Sequence, residues 1–188
     1  MVYRIYVEKK PGFDVEATGL KNELTSLLGI QSLTGLRLLN RYDVEGIDEE
    51  LFNQCANTVF SEPPVDNTYA ELPISDGVSF AVEYLPGQFD QRAASAVDCV
   101  RLIDPEARVD IRSSRLLVFD DKTTDGELAK IRHYYINAVE SREKDLSVLS
   151  DMEQAEVKPV GALEGFREMA DSELEPYCKT CLLYTSDA

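Results

Sequence analysis

Cys178-Lys179-Thr180-Cys181 has the spacing of a redox dithiol or of half a zinc site. Zinc needs four ligands, yet the chain has no second CxxC and only one histidine, His133, so a single chain cannot close such a site. His133 follows Lys130 and Arg132 near an expected helix C-terminus, where the helix dipole favours a cation. To act as a general base it would need a nucleophile and an orienting partner within reach. The paired carboxylates Asp120-Asp121, beside Lys122, read as a turn after a strand. Neither G-x-G-x-x-G nor G-x-x-x-x-G-K-[ST] occurs, so no phosphate-cradling loop is recognisable. No complete active site is legible, and we expect no catalytic, cofactor-binding or metal-ligating residue in this chain.

The elements that would position such groups come twice. Val7-Glu8-Lys9-Lys10-Pro11-Gly12 recurs in form as Val82-Glu83-Tyr84-Leu85-Pro86-Gly87. Ahead of the first copy Tyr3, Ile5 and Val7 alternate with polar residues, as Val78, Phe80 and Val82 do ahead of the second, the period of a half-buried strand. After each copy an Asp caps a helix: Asp14 before Ala17, Leu20, Leu24 and Leu27, and Asp90 before Ala93, Ala96, Val100 and Ile103. Strands follow at Leu36 to Tyr42 and at Arg115 to Phe119. Second helices are capped by Asp48 and by Thr124, the latter with Glu127 in the S/T-x-x-E capping-box form. These helices are expected to bury Phe52, Cys55 and Val59 in one half, and Leu128, Ile131 and Tyr135 in the other. A short extended piece completes each half.

A repeat of this size is marginal alone, so the two halves are expected to share a sheet. Lys and Arg number 19 against 35 Asp and Glu, a net charge of −16, which repels nucleic acid and anionic lipid. No apolar run approaches the roughly 20 residues of a membrane span, and the N-terminus lacks the apolar core of a signal peptide. The four cysteines fit a reducing compartment, with Cys55 and Cys99 on the apolar faces or flanks of helices. Nucleic acid and membranes are therefore not expected partners, and a cytoplasmic location is expected.

Ser61-Glu62-Pro63-Pro64-Val65-Asp66, with Pro73, Asp76 and Gly77, reads as a crossover over the surface or along a sheet edge. The charge run through Glu140, Arg142, Glu143, Lys144 and Asp145 reads as a solvated face or an interaction surface. From about Ser147 the pattern changes: Pro159 and Gly161 mark a loop, Phe166 and Met169 are isolated, and Ser172 to Glu175 can begin a helix. The expected division is an α+β N-terminal domain over 1–146 (repeats at about 1–66 and 77–146), the start of a linker domain over 147–180, and a non-native tail over 181–188.

Three stretches resemble the N-terminal region of the phosphoribosylformylglycinamidine synthase family in its large, single-chain form. They are Leu85-Pro86-Gly87-Gln88-Phe89-Asp90-Gln91-Arg92-Ala93, Tyr134-Tyr135-Ile136-Asn137-Ala138-Val139-Glu140-Ser141-Arg142-Glu143, and Val59-Phe60-Ser61-Glu62-Pro63-Pro64-Val65-Asp66. The resemblance covers about Met1 to Thr180. It departs at Ala138, where the family usually has proline. It implies two fused ferredoxin-like halves, similar to a dimer of the small separate subunit of multi-subunit versions, followed by a mostly helical linker domain. It also implies an enzyme of purine biosynthesis, a glutamine amidotransferase and ligase that converts formylglycinamide ribonucleotide, ATP and glutamine to formylglycinamidine ribonucleotide. The synthetase that uses ATP with magnesium, and the glutaminase, would lie beyond this chain. The piece itself would be non-catalytic and would hold those two parts of the same polypeptide in register.

The expected contact surface joins Gln88, Phe89, Asp90 and Arg92, at the start of the third helix, to Asn137, Glu140, Arg142 and Glu143 after the fourth. Two alternatives stand beside this reading: a small-molecule-sensing regulatory module, with a ligand at the seam between the halves, and a stand-alone adaptor subunit.

Overall fold

In this computed structural model residues 1–73, 78–120, 122–147, 169–170 and 172–174 are described. The chain divides into two compact units, Met1–Ala155 and Glu156–Ala188. The first unit is α+β. Its elements run β1 (Val2–Lys9), α1 (Val15–Leu27), β2 (Leu36–Glu45), α2 (Glu49–Ala56), β3 (Asp66–Tyr69), β4 (Val78–Tyr84), α3 (Gln91–Ile103), β5 (Asp110–Phe119), α4 (Asp125–Tyr135) and β6 (Ser141–Lys144). In the second unit Ser172, Glu173 and Leu174 are helical, and Ala170 N–H donates to Glu173 Oε2 at 2.9 Å. Asp76, Gly77, Asp121, Pro159, Gly161, Phe166, the CxxC and the 181–188 tail lie outside the described residues.

Six strands form one antiparallel sheet in the order β3-β1-β2-β5-β4-β6. Its register repeats with the shift that carries Val7 onto Val82. Val7 opposite Asn40 becomes Val82 opposite Arg115, and Tyr6 opposite Tyr69 becomes Ala81 opposite Lys144. In the central pairing, Asn40 faces Arg115, its own equivalent, so an approximate twofold axis passes through that pair. β3 and β6 are the sheet's edges, and the Pro-Pro segment leads into β3.

The helices supply two clusters on one face of the sheet. Ile5, Val7, Tyr42 and Val44 pack with Cys55 of α2 and with Ala93, Ala96 and Val100 of α3. Phe80, Val82, Leu117 and Phe119 pack with Leu24 of α1 and with Leu128 and Ile131 of α4. The helix that follows β1 thus shares a core with β4 and β5, and the helix that follows β4 shares one with β1 and β2. Helix starts follow cap chemistry. Asp48 accepts from Leu51 N at 2.9 Å, Asp90 from Ala93 N at 2.9 Å, and Thr124 with Glu127 closes the capping box.

Several expectations change. Asp14 takes the cap position of α1, but its carboxylate accepts from Gly12 N at 2.9 Å and leaves the helix amides uncapped. Leu27 is 66% exposed, because α1 ends there and Ile30 and Leu33 of the following loop fill the core instead. Cys99 is exposed, one position ahead of the buried Val100. Val59 lies beyond the end of α2. β2 and β5 run further than expected, to Glu45 and from Asp110. Gly46 ends β2 at φ +90°, where a Cβ would run into the Arg108 carbonyl.

The other face of the sheet carries buried charge. Arg41 is fully buried and holds Asp43 at 2.6 Å, while Arg4 Nε donates to the same carboxylate at 2.6 Å. Burial would push the Asp43 carboxyl up, but hydrogen bonds and charge from Arg41 and Arg4 outweigh it and hold the group below the usual carboxylate range. Beyond β6, Arg41 Nη1 donates to Asp145 O and Arg4 Nη1 to Ser147 O, both at 2.9 Å. Leu146 packs there against the cluster of Tyr6, Leu39, Ala81, Leu116 and Val118. Part of the expected charge run is therefore a paired edge strand, with Arg142 and Lys144 both reaching Glu83, at 2.7 and 2.9 Å.

Candidate functional site

The two Pro-Gly turns are built alike. Gly12 and Gly87 sit at φ +90° and +92°, which glycine adopts without penalty. Lys10 N–H donates to Val65 O at 2.8 Å, and its equivalent Leu85 N–H to Glu140 O at 2.9 Å. This second bond lays the β4–α3 turn against the α4–β6 turn, and Gln88 Nε2 adds a contact to Val139 O at 3.4 Å. The two expected contact segments are thus adjacent.

Their side chains do different things. Asn137 shapes its own turn, accepting from Val139 N at 3.2 Å and donating to Glu140 at 3.0 Å. Asp90 caps α3 and also accepts from Ser113 N and Oγ at 3.0 and 2.8 Å, so both of its oxygens are engaged within the fold. Arg142 is held by Glu83, and Glu143 lies 3.2 Å from Arg132. Arg92 turns toward the middle of the sheet and donates to Tyr42 OH at 3.4 Å. Phe89 is left 73% exposed.

Phe89 has a counterpart that the motifs alone do not reveal. Allowing Gln88 as a one-residue insertion, Pro11-Gly12-Phe13-Asp14 aligns with Pro86-Gly87-Gln88-Phe89-Asp90. Phe13 is also exposed, at 55%. The other letters repeated between the halves here have jobs within the fold. Val7 and Val82 are core, the glycines have positive φ, Ala17 and Ala93 are buried, and Glu8 and Glu83 bind Arg37 and Arg142. A phenylalanine just ahead of a helix cap can staple onto the fourth helical residue, but those residues are Thr18 and Ala94, and among the described residues neither ring stacks on another.

Beside these turns a cleft opens on the helix-bearing face, lined among others by Glu16, Tyr84, Arg92, Arg115 and Tyr135. Arg115, at the twofold position, pairs with Glu16. Burial pushes the Tyr135 phenol up, with the Arg115 charge opposing. Among the described residues no group of three or more His, Cys, Asp or Glu is placed to hold a metal ion, and no helix is long and apolar enough to cross a membrane. No family profile, no curated protein and no solved structure matches the chain.

Proposed function

We propose that this chain is an assembly domain, the N-terminal coupling part of a phosphoribosylformylglycinamidine synthase of the large single-chain kind. In this reading the six-stranded sheet is two fused ferredoxin-like halves, and residues beyond 147 begin a helical linker domain. The chain does no chemistry itself, and it works in the cytoplasm. ATP with magnesium, and glutamine, are bound by the synthetase and glutaminase parts of the same enzyme. Alignment of those parts is the domain's contribution, since a misplacement of about 1 Å between coupled groups can cost on the order of 10²-fold in rate.

The observation that carries an assembly role is the pair Phe13 and Phe89. The two halves keep a phenylalanine at one exposed place where no ring contact among the described residues engages it, and it is this repetition, not exposure alone, that we read as a partner anchor. The motif resemblance supplies the particular enzyme.

The test adds the chain to a synthetase truncated to lack this region and follows turnover with glutamine and with free ammonia. Glutamine-dependent turnover should return with the parent chain, and the double variant Phe13→Ser, Phe89→Ser should bind at least about tenfold more weakly with its melting temperature unchanged. A folded parent chain that neither binds nor restores turnover would overturn the reading and leave the sensing or adaptor alternatives.

A further inference from the structure

The cleft between the helix pairs encloses about 810 Å³, within the range of small-molecule sites. A second cleft of about 680 Å³ adjoins it, and Glu16, Tyr42, Val59 and Arg92 line both. The sheet's repeat relates the two: Tyr84 and Ser141 in the larger stand where the smaller has Lys9 and Asp66.

Their polar groups are spent differently. In the smaller cleft Lys9 Nζ lies 2.8 Å from Asp66, so this cation is satisfied internally. In the larger, the equivalent places hold two neutral hydroxyls, with Tyr84 46% exposed. Arg92 lines it with a single long hydrogen bond to Tyr42 OH, and among the described residues it forms no ion pair. The same place on α1 is occupied by Glu16, which is already engaged with Arg115. A guanidinium offers a planar fork of donors suited to an oxyanion, and the Tyr84 and Tyr135 rings supply an amphipathic wall.

We propose that the larger cleft binds a small oxyanion-bearing molecule, a carboxylate or a phosphate ester, with its charged group on Arg92 and its body against Tyr84 and Tyr135. This site is independent of the assembly role, which rests on Phe13 and Phe89. Arg92 borders both clefts, but only the larger sets Tyr84 and Tyr135 beside it, and the carboxylates of Glu16 and Glu83 that also line that cleft are held by Arg115 and by Arg142 and Lys144.

The experiment titrates the full chain separately with sodium phosphate, adenosine monophosphate and L-glutamate by calorimetry. Tyrosine emission serves as a second readout, because the chain has nine tyrosines and no tryptophan. Binding of at least one probe at roughly millimolar affinity or tighter is expected, weakened about tenfold or more by Arg92→Ala and a few-fold by Tyr84→Ala. Phosphate and adenosine monophosphate binding without glutamate assigns a phosphate ligand, and glutamate alone assigns a carboxylate. Arg92 is an exposed helix residue, so its variant should fold, and a melting curve checks that it does. The proposal is overturned if none of the three probes binds, or if binding persists undiminished in folded Arg92→Ala.

Discussion

One half of the sheet buries ions where the other buries hydrocarbon. Arg4, Arg41 and Asp43 in the first half occupy the positions of Ser79, Leu116 and Val118 in the second, while backbone pairing is the same in both. The difference separates what the architecture requires from what one sequence happens to use. The sheet needs no charge at these places. The ionic version adds direction, because its guanidinium groups reach beyond Asp43 to the carbonyls of Asp145 and Ser147 and so fix where the chain runs after β6.

The largest effect should come from breaking the ionic side alone. Arg41→Ala leaves Asp43 buried with half its partners, and urea denaturation should show a loss of about 3–5 kcal/mol. Copying the other half with Arg4→Ser, Arg41→Leu and Asp43→Val together should return stability to within about 1 kcal/mol of the parent or above it. A triple variant as weak as the single one would mean that the halves are not interchangeable at this face.

At this face of the sheet the same comparison predicts a pH dependence that the first half has and the second lacks. The folded carboxyl of Asp43 titrates below its unfolded value, so its stabilisation is complete above the unfolded pKa of about 3.9 and is lost as pH falls through the lower folded value. Val118 has no such group to lose. Asp43→Asn should therefore flatten the acid side of a stability–pH curve measured by urea midpoints. An unchanged acid slope would place the dependence elsewhere.

A smaller contrast concerns the caps. Asp90→Ala removes a helix cap and two bonds to Ser113 and should destabilise by about 1–2 kcal/mol. Asp14→Ala removes only a turn contact to Gly12 and should change stability by less than about 0.5 kcal/mol. Equal losses in thermal or urea unfolding would mean that Asp14 caps α1 in solution.

The repeat is legible because V-E-x-x-P-G keeps its letters, and α2, α3 and α4 because Asp48, Asp90, Thr124 and Glu127 have side chains of cap length. The ends of β2 and β5 are not, since after Tyr42 only Val44 is apolar, set between Asp43 and Glu45, and Asp110, Arg112, Ser113 and Ser114 make the start of β5 polar. Period rules assume that charge points outward, and here a buried ion set reverses that. Phe13 is hidden because a single inserted residue, Gln88, shifts the alignment. The cleft is invisible in the sequence because its lining is contributed by both halves, through helices whose placement no local pattern encodes.

That placement bears on how the protein is made. During vectorial synthesis the first 70 or so residues leave the ribosome with Leu20, Leu24, Ile30 and Leu33 bare, since their apolar partners Phe80, Leu117, Phe119, Leu128 and Ile131 are still untranslated. The nascent half thus exposes apolar surface until the second half is made. A gene cut between Tyr69 and Val78 would yield two fragments soluble only when co-expressed.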